Sequence, residues 1–239
     1  MSSPQFSTLS EHGRLTLDSG TAVVGGSPTR VLNSLGRSEA ARVRVMAMNL
    51  LGNGLYIAGH YEDALPVRQA ELSMKRRFGR PEEHMLVAQS NLATTYYRLG
   101  RREEALRIEQ DVYSGRLKLN GEEHEATLTA ANNYADTLVN LKHFEESKSL
   151  MLKMIPVARR ALGEGHRLTL KIRWNYAQML CYDPSSTLDE LHEAVSKLED
   201  MTRTARQVLG GAHPLTVDIE GSLRQARAAL RARETPSAR

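Results

Sequence analysis

The chain has 239 residues, 41% of them hydrophobic and 25% charged, enough for a continuous core in one or two domains and too apolar for wholesale disorder. A single cysteine, Cys181, excludes an intrachain disulfide scaffold, and a net charge of +4 makes no general electrostatic demand for nucleic acid. The uncharged stretch Val45–Gly59 is too short and too polar to cross a bilayer, and Met1–Leu9 lacks the pattern of a secretory signal, which leaves the cytoplasm as the default compartment.

Along the chain, Ser, Thr and Gly dominate Met1–Gly36 with no sustained period and no heptads. Residues 1–38 are therefore expected to form a disordered tail, 39–233 a helical repeat domain, and 234–239 a flexible C-terminus. The domain repeats itself. Gly79, Gly121, Gly163 and Gly210 are spaced 42, 42 and 47 apart. His124, His166 and His213 follow three of these glycines by three residues, and Thr127, Thr169 and Thr216 follow the histidines by three more. Asn91, Asn133 and Asn175 recur at 42, and Ala64, Ala105, Ser147 and Ala194 at 41, 42 and 47. An insertion around Asp183–Thr187 accounts for both long intervals.

Within a unit the period is helical: Met85, Ala88, Leu92, Tyr96 and Leu99 lie on one face, as do Leu128, Ala131, Ala135, Leu138 and Leu141. Each unit reads as a hairpin of helices A and B. The A helices are expected near 43–58, 83–99, 125–141, 167–182 and 214–232, and the B helices near 61–77, 102–119, 144–162 and 188–208. Gly59 and Gly100 sit at the A-to-B turn, where φ > 0 is wanted. Lys142 stands at the same place in the next unit, so that turn is expected to be built differently. The four repeat glycines read as residues just past the B helices, and Pro66 and Pro156 are expected to kink theirs. Hairpins of this kind bury their apolar faces only by stacking. The fold class is therefore all-α, a solenoid of antiparallel helix pairs, with an arginine-rich last helix (Arg224, Arg227, Arg231, Arg233) as a C-terminal cap.

The segment from Ser90 to Ala105, Ser-Asn-Leu-Ala-Thr-Thr-Tyr-Tyr-Arg-Leu-Gly-Arg-Arg-Glu-Glu-Ala, resembles the core of a tetratricopeptide repeat. The 42-residue period, the Leu-Gly-x-x-His junction, Thr127-Leu128, Thr169-Leu170, paired Asn132-Asn133 and Pro66 early in its helix are similar to the kinesin light chain subclass. The resemblance spans roughly residues 43–232. It implies a right-handed superhelix whose A helices line a concave, peptide-binding groove. The coiled coil that would imply a motor subunit has no counterpart in Met1–Ser38.

The same resemblance places Asn91, Asn133 and Asn175 on the concave face, where a carboxamide can donate to and accept from a peptide backbone. The alternative for each is a structural hydrogen bond to a neighbouring helix. Lys171, four residues before Asn175, could hold a ligand carboxylate, and the sole tryptophan, Trp174, could anchor an apolar side chain or pack in the core. Ser90, Thr94, Arg98, Asn132, Asp136, Asn140, Gln178 and Tyr182 complete that face. The three histidines lie one repeat apart, so they read as junction residues rather than metal ligands, and no cofactor is expected. The motifs His-Glu-x-x-His, Gly-x-Ser-x-Gly and Gly-Lys-Ser/Thr are absent. The reading that follows is a non-catalytic scaffold that binds a protein or peptide partner, without nucleic acid or membrane. Its alternatives are a single-stranded RNA-binding helical repeat and the repeat arm of a larger enzyme-containing assembly.

Overall fold

The computed structural model describes residues 37–234; the readings of 1–36 and 235–239 as flexible termini lie outside the described residues. Every element is a helix: α1 (Arg37–Ile57), α2 (Tyr61–Arg77), α3 (Glu82–Arg98), α4 (Arg102–Asn120), α5 (Glu125–Asn140), α6 (Phe144–Leu162), α7 (Arg167–Tyr182), α8 (Leu188–Leu209) and α9 (Pro214–Glu234). The fold is an all-α solenoid in which A helices (odd numbers) alternate with B helices (even numbers). The bounds fall within two residues of the sequence reading except at α1, which starts six residues earlier, through the helix-favouring Glu39, Ala40 and Ala41.

The chain divides into two units, 1–47 and 48–239. In the first, Ala40, Ala41 and Val45 on α1 are buried. In the second, each helix from α2 onward packs on the next, and α7 also touches α5 and α9. The small-residue register marks the tightest contacts. Ala64, Ala105, Ser147 and Ala194 are all fully buried, one near the start of each B helix. Ser147 fits where its relatives are alanines because its hydroxyl donates to the Ala135 carbonyl at 2.9 Å, so no buried polar group is left unpaired.

The first three A-to-B turns are each closed by the same pair of backbone hydrogen bonds. Gly59 and His60 donate to Tyr56 and Leu55, and Gly100 and Arg101 donate to Tyr97 and Tyr96. Lys142 and His143 donate likewise to Val139 and Leu138, the Schellman pattern throughout. The expectation of a different turn at Lys142 is therefore corrected: Lys142 adopts φ +65°, the left-handed conformation its glycine counterparts hold at +82° and +75°. The bonds dictate the geometry, and lysine meets it at a cost of about 1 kcal/mol.

The B-to-A junctions explain the His-x-x-Thr spacing. His124 and His166 are N-caps whose Nδ1 accepts from the Ala126 and Leu168 amides, and Nδ1 of His213 accepts from Leu215. Thr127 and Thr169 sit buried one step further on and donate to the carbonyls of Arg116 and Ala158 in the preceding B helix, both at 3.2 Å. The glycines before these histidines are themselves helix caps. Gly121, Gly163 and Gly210 have φ of 80–91° and ψ of 158–173°, a region essentially closed to other residues. Gly79 differs, with φ +58° in a Schellman turn.

The insertion is a structured connector. Asp183 caps α7 and accepts from the Ser185 amide at 2.8 Å, while Thr187 and Glu190 form a capping box on α8. Arg233 of α9 donates to the carbonyls of Pro184 and Ser186, tying the last helix to it. The outer arginines Arg224, Arg227, Arg231 and Arg233 are exposed, as a cap requires. Both proline-bearing helices, α2 and α6, run on through Pro66 and Pro156.

Candidate functional site

The A helices α3, α5 and α7 present residues at i, i+4 spacing to one side, and the B helix α4 closes the floor between them. The result is a cavity of about 320 Å³ lined by Thr94, Tyr97 and Arg98 of α3, Glu109 of α4, Asn132, Asn133, Asp136 and Thr137 of α5, and Lys171, Trp174, Asn175 and Gln178 of α7. Arg98, Asn132, Asn133, Asp136, Lys171, Trp174, Asn175 and Gln178 were all expected on this face, and the fold brings them together. Asn91 and Ser90 line a separate depression of about 410 Å³, with Val87, Arg116 and Thr129 among its walls. Asn140 lies outside both and donates to the Tyr97 hydroxyl at 2.9 Å. Tyr182, exposed at the end of α7, lines neither.

The three equivalent asparagines are not equivalent in their bonding. Asn175 is buried and its Nδ2 donates to Oδ1 of buried Asn132 at 3.0 Å, the helix-to-helix bond that was the alternative for this position. Asn133 and Asn91 are half-buried, and their carboxamides have no hydrogen-bond partner among the described residues. Trp174 combines its two expected roles: the half-buried ring borders the cavity and packs on the α7–α9 core. Its Nε1 donates to Ser222 of α9 at 2.9 Å, and Gln178 donates to the same hydroxyl at 3.0 Å.

The electrostatics centre on two carboxyls. Burial raises Asp136 above the usual carboxylate range, but Tyr97, Lys171, Arg102 and Arg98 around it favour its charge. Around Glu109 only the Thr137 hydroxyl favours the charge. Burial pushes Glu109 up to about 7, and the Asp136 carboxylate adds to the rise. Tyr97 is pushed up to about 12 by its own burial and by Asp136. Glu109, Thr137 and Tyr97 escape a sequence reading that follows only the A-helix face. A signal for Glu109 does exist, since it occupies the apolar stripe of α4 between Ala105 and Val112. Among the described residues no group of His, Cys, Asp and Glu is arranged to hold a metal ion, and burial raises the Cys181 thiol, leaving it protonated.

Residues 84–153 match the tetratricopeptide repeat family model. No curated protein matches the chain in sequence. Among solved structures, a Podosopora anserina putative kinesin light chain with nearly identical TPR-like repeats superposes with a TM-score of 0.66 at 20% identity, covering 81% of this chain and 89% of that one. BtubC (BKLC) from P. vanneervenii gives a TM-score of 0.56 at 17% identity, covering 88% and 89%. A Rap protein complexed with Competence and Sporulation Factor gives 0.51 at 15%, covering 85% of this chain and 58% of that one. The helix hairpins, their junction chemistry and the matched segment agree: the chain has a fold of tetratricopeptide-like repeats, similar to that of the kinesin light chain-like structures.

Proposed function

We propose that the protein is a non-catalytic scaffold that grips an extended peptide segment of a protein partner along its A-helix face. The observation that carries this is the cavity spanning α3, α5 and α7, where Asn133 offers a carboxamide with no hydrogen-bond partner to a passing backbone. Asn91 repeats that offer in the next depression. A Rap protein of similar fold is itself seen in complex with a factor, in keeping with this use of such repeats. The acidic floor formed by Glu109 and Asp136 argues against a phosphate backbone in the same place. A cytoplasmic setting belongs to the same proposal and rests on the lone cysteine.

The test is affinity capture from a lysate of the source cells by the wild type and by Asn91→Ala/Asn133→Ala. Asn175 is left intact because truncating it would strand buried Asn132. Partners recovered by the wild type and lost by a variant that melts at the same temperature support the reading. Equal recovery by both proteins, or capture that is dominated by RNA and collapses steeply with salt, overturns it.

A further inference from the structure

We propose that the cavity floor at Glu109 and Thr137 is a pocket for a cationic side chain of the bound segment, a lysine or an arginine. The proposal rests on the groove reading above and deepens it by naming one determinant of what the groove accepts.

Glu109 is 7% exposed and Thr137 fully buried, and both line the cavity. Oε2 of Glu109 and the Thr137 hydroxyl make no hydrogen bond to any other residue, and Thr137 alone favours the Glu109 charge. Such groups are ordinarily satisfied, because a buried acceptor left bare costs the full desolvation of that group. Here the two atoms belong to neighbouring helices, α4 and α5, on residues that line one cavity. The Thr137 hydroxyl favours the charged form of Glu109, but one neutral hydroxyl does not balance a buried carboxylate, so the balancing charge is left to a group that enters from outside. Its chemistry follows from theirs: a carboxylate oxygen only accepts, and a hydroxyl can accept as well.

Charge selects a cation over a neutral donor. Asp136 lies close enough to raise Glu109, so the two carboxyls repel each other. Every protein cation in the vicinity serves Asp136: Lys171, Arg102 and Arg98 all favour its charge, as does the Tyr97 phenol. Arg98 is exposed, and its Nε is committed to the Tyr56 hydroxyl at 3.0 Å. Among the described residues, none forms an ion pair with Glu109. An ammonium or guanidinium reaching the floor would meet a carboxylate that has the Thr137 hydroxyl beside it and no cation, and would relieve the repulsion between Glu109 and Asp136. The long methylene stem of such a side chain would run past the half-buried Trp174 ring.

The probes are sets of capped peptides of mixed sequence with one central position fixed as lysine, arginine, norleucine or glutamate. Binding is read by fluorescence anisotropy. The wild type is expected to favour the lysine or arginine set over the norleucine set by at least about tenfold, the ratio for one charged hydrogen-bonded contact. Glu109→Gln should bring the cationic sets down to the norleucine level. In the wild type the preference should also grow from about pH 6 to about pH 8, as Glu109 loses its proton while lysine and arginine keep theirs. This second readout stands even if the variant folds poorly. Binding of all sets without a cationic preference, weakened throughout by Asn133→Ala, would leave the groove reading standing and overturn this one. A preference that is flat with pH, or that survives Glu109→Gln, overturns it too. Binding of no set would remove both.

Discussion

Glu109→Gln also tests whether this carboxyl is held at a cost to the fold. Burial lifts the group from an ordinary 4.5 to about 7, so the folded state binds a proton more tightly than the unfolded chain does. The stability this group contributes is then greatest below about pH 4.5 and is lost as pH rises through 7. The full difference corresponds to about 3 kcal/mol at 1.36 kcal/mol per pKa unit. Glutamine removes the titration and keeps the shape. Variant and wild type are expected to be about equally stable near pH 5. Near pH 8 the variant should be more stable by up to about 3 kcal/mol. Urea titrations followed by circular dichroism give the fold as a whole, and Trp174, the sole tryptophan, reports the cavity wall by fluorescence. Half-buried carboxyls held low by partners, such as Glu190 beside Lys148, tilt stability the other way with pH but are common to both proteins. Parallel pH curves for the two proteins would refute the reasoning.

Three further outcomes follow from the turns and the buried amides. Lys142→Gly should stabilise by about 1 kcal/mol, visible as a rise in Tm of about 2–4 °C, since the residue already holds φ +65°. Gly163→Ala should destabilise by about 1–3 kcal/mol in the same melts, although a methyl there would meet no atom within 4 Å, because φ +91° with ψ 161° is strained for any L-residue. Asn132→Ala should cost about 1–3 kcal/mol by stranding buried Asn175, and a double-mutant cycle with Asn175→Ala should return a coupling of about 1 kcal/mol.

The helices were legible because each is bounded by residues with a narrow conformational range, such as Gly100 and Gly163, and because the apolar stripe between them keeps one period. The small-residue register was legible for a related reason: a fully buried contact such as Ala105 leaves no room for anything larger. Lys142 misled because the turn is specified by its hydrogen bonds, and the penalty for a lysine in it is small enough to be carried. The asparagines were legible as a face but not as a site. Register says which way Asn91, Asn133 and Asn175 point, whereas the depth of the gap between helices decides that Asn175 is sealed against Asn132 while Asn91 opens into a different depression. Glu109 was missed because its element, α4, is a B helix and contributes to the cavity from beneath.

Buried atoms without partners fall into distinct kinds here, and the difference bears on function. The Thr216 and Ser186 hydroxyls are single neutral groups. On α2, Arg68 and Glu71 leave atoms bare, but they attract each other, and Glu71 also pairs with Lys75 at 2.7 Å. At Glu109 the bare carboxylate oxygen faces a second carboxyl and a hydroxyl, with no cation bound to it. A solenoid can carry such a defect because each hairpin contacts only its neighbours, so the cost stays within α3–α5 and α7 and does not propagate along the stack. It also lies in the middle of the described array, beneath the helices whose side chains form the cavity. A local loss of stability placed under a cavity, with a hydroxyl beside it and a cation wanting, has the form of binding energy left to be supplied by a ligand.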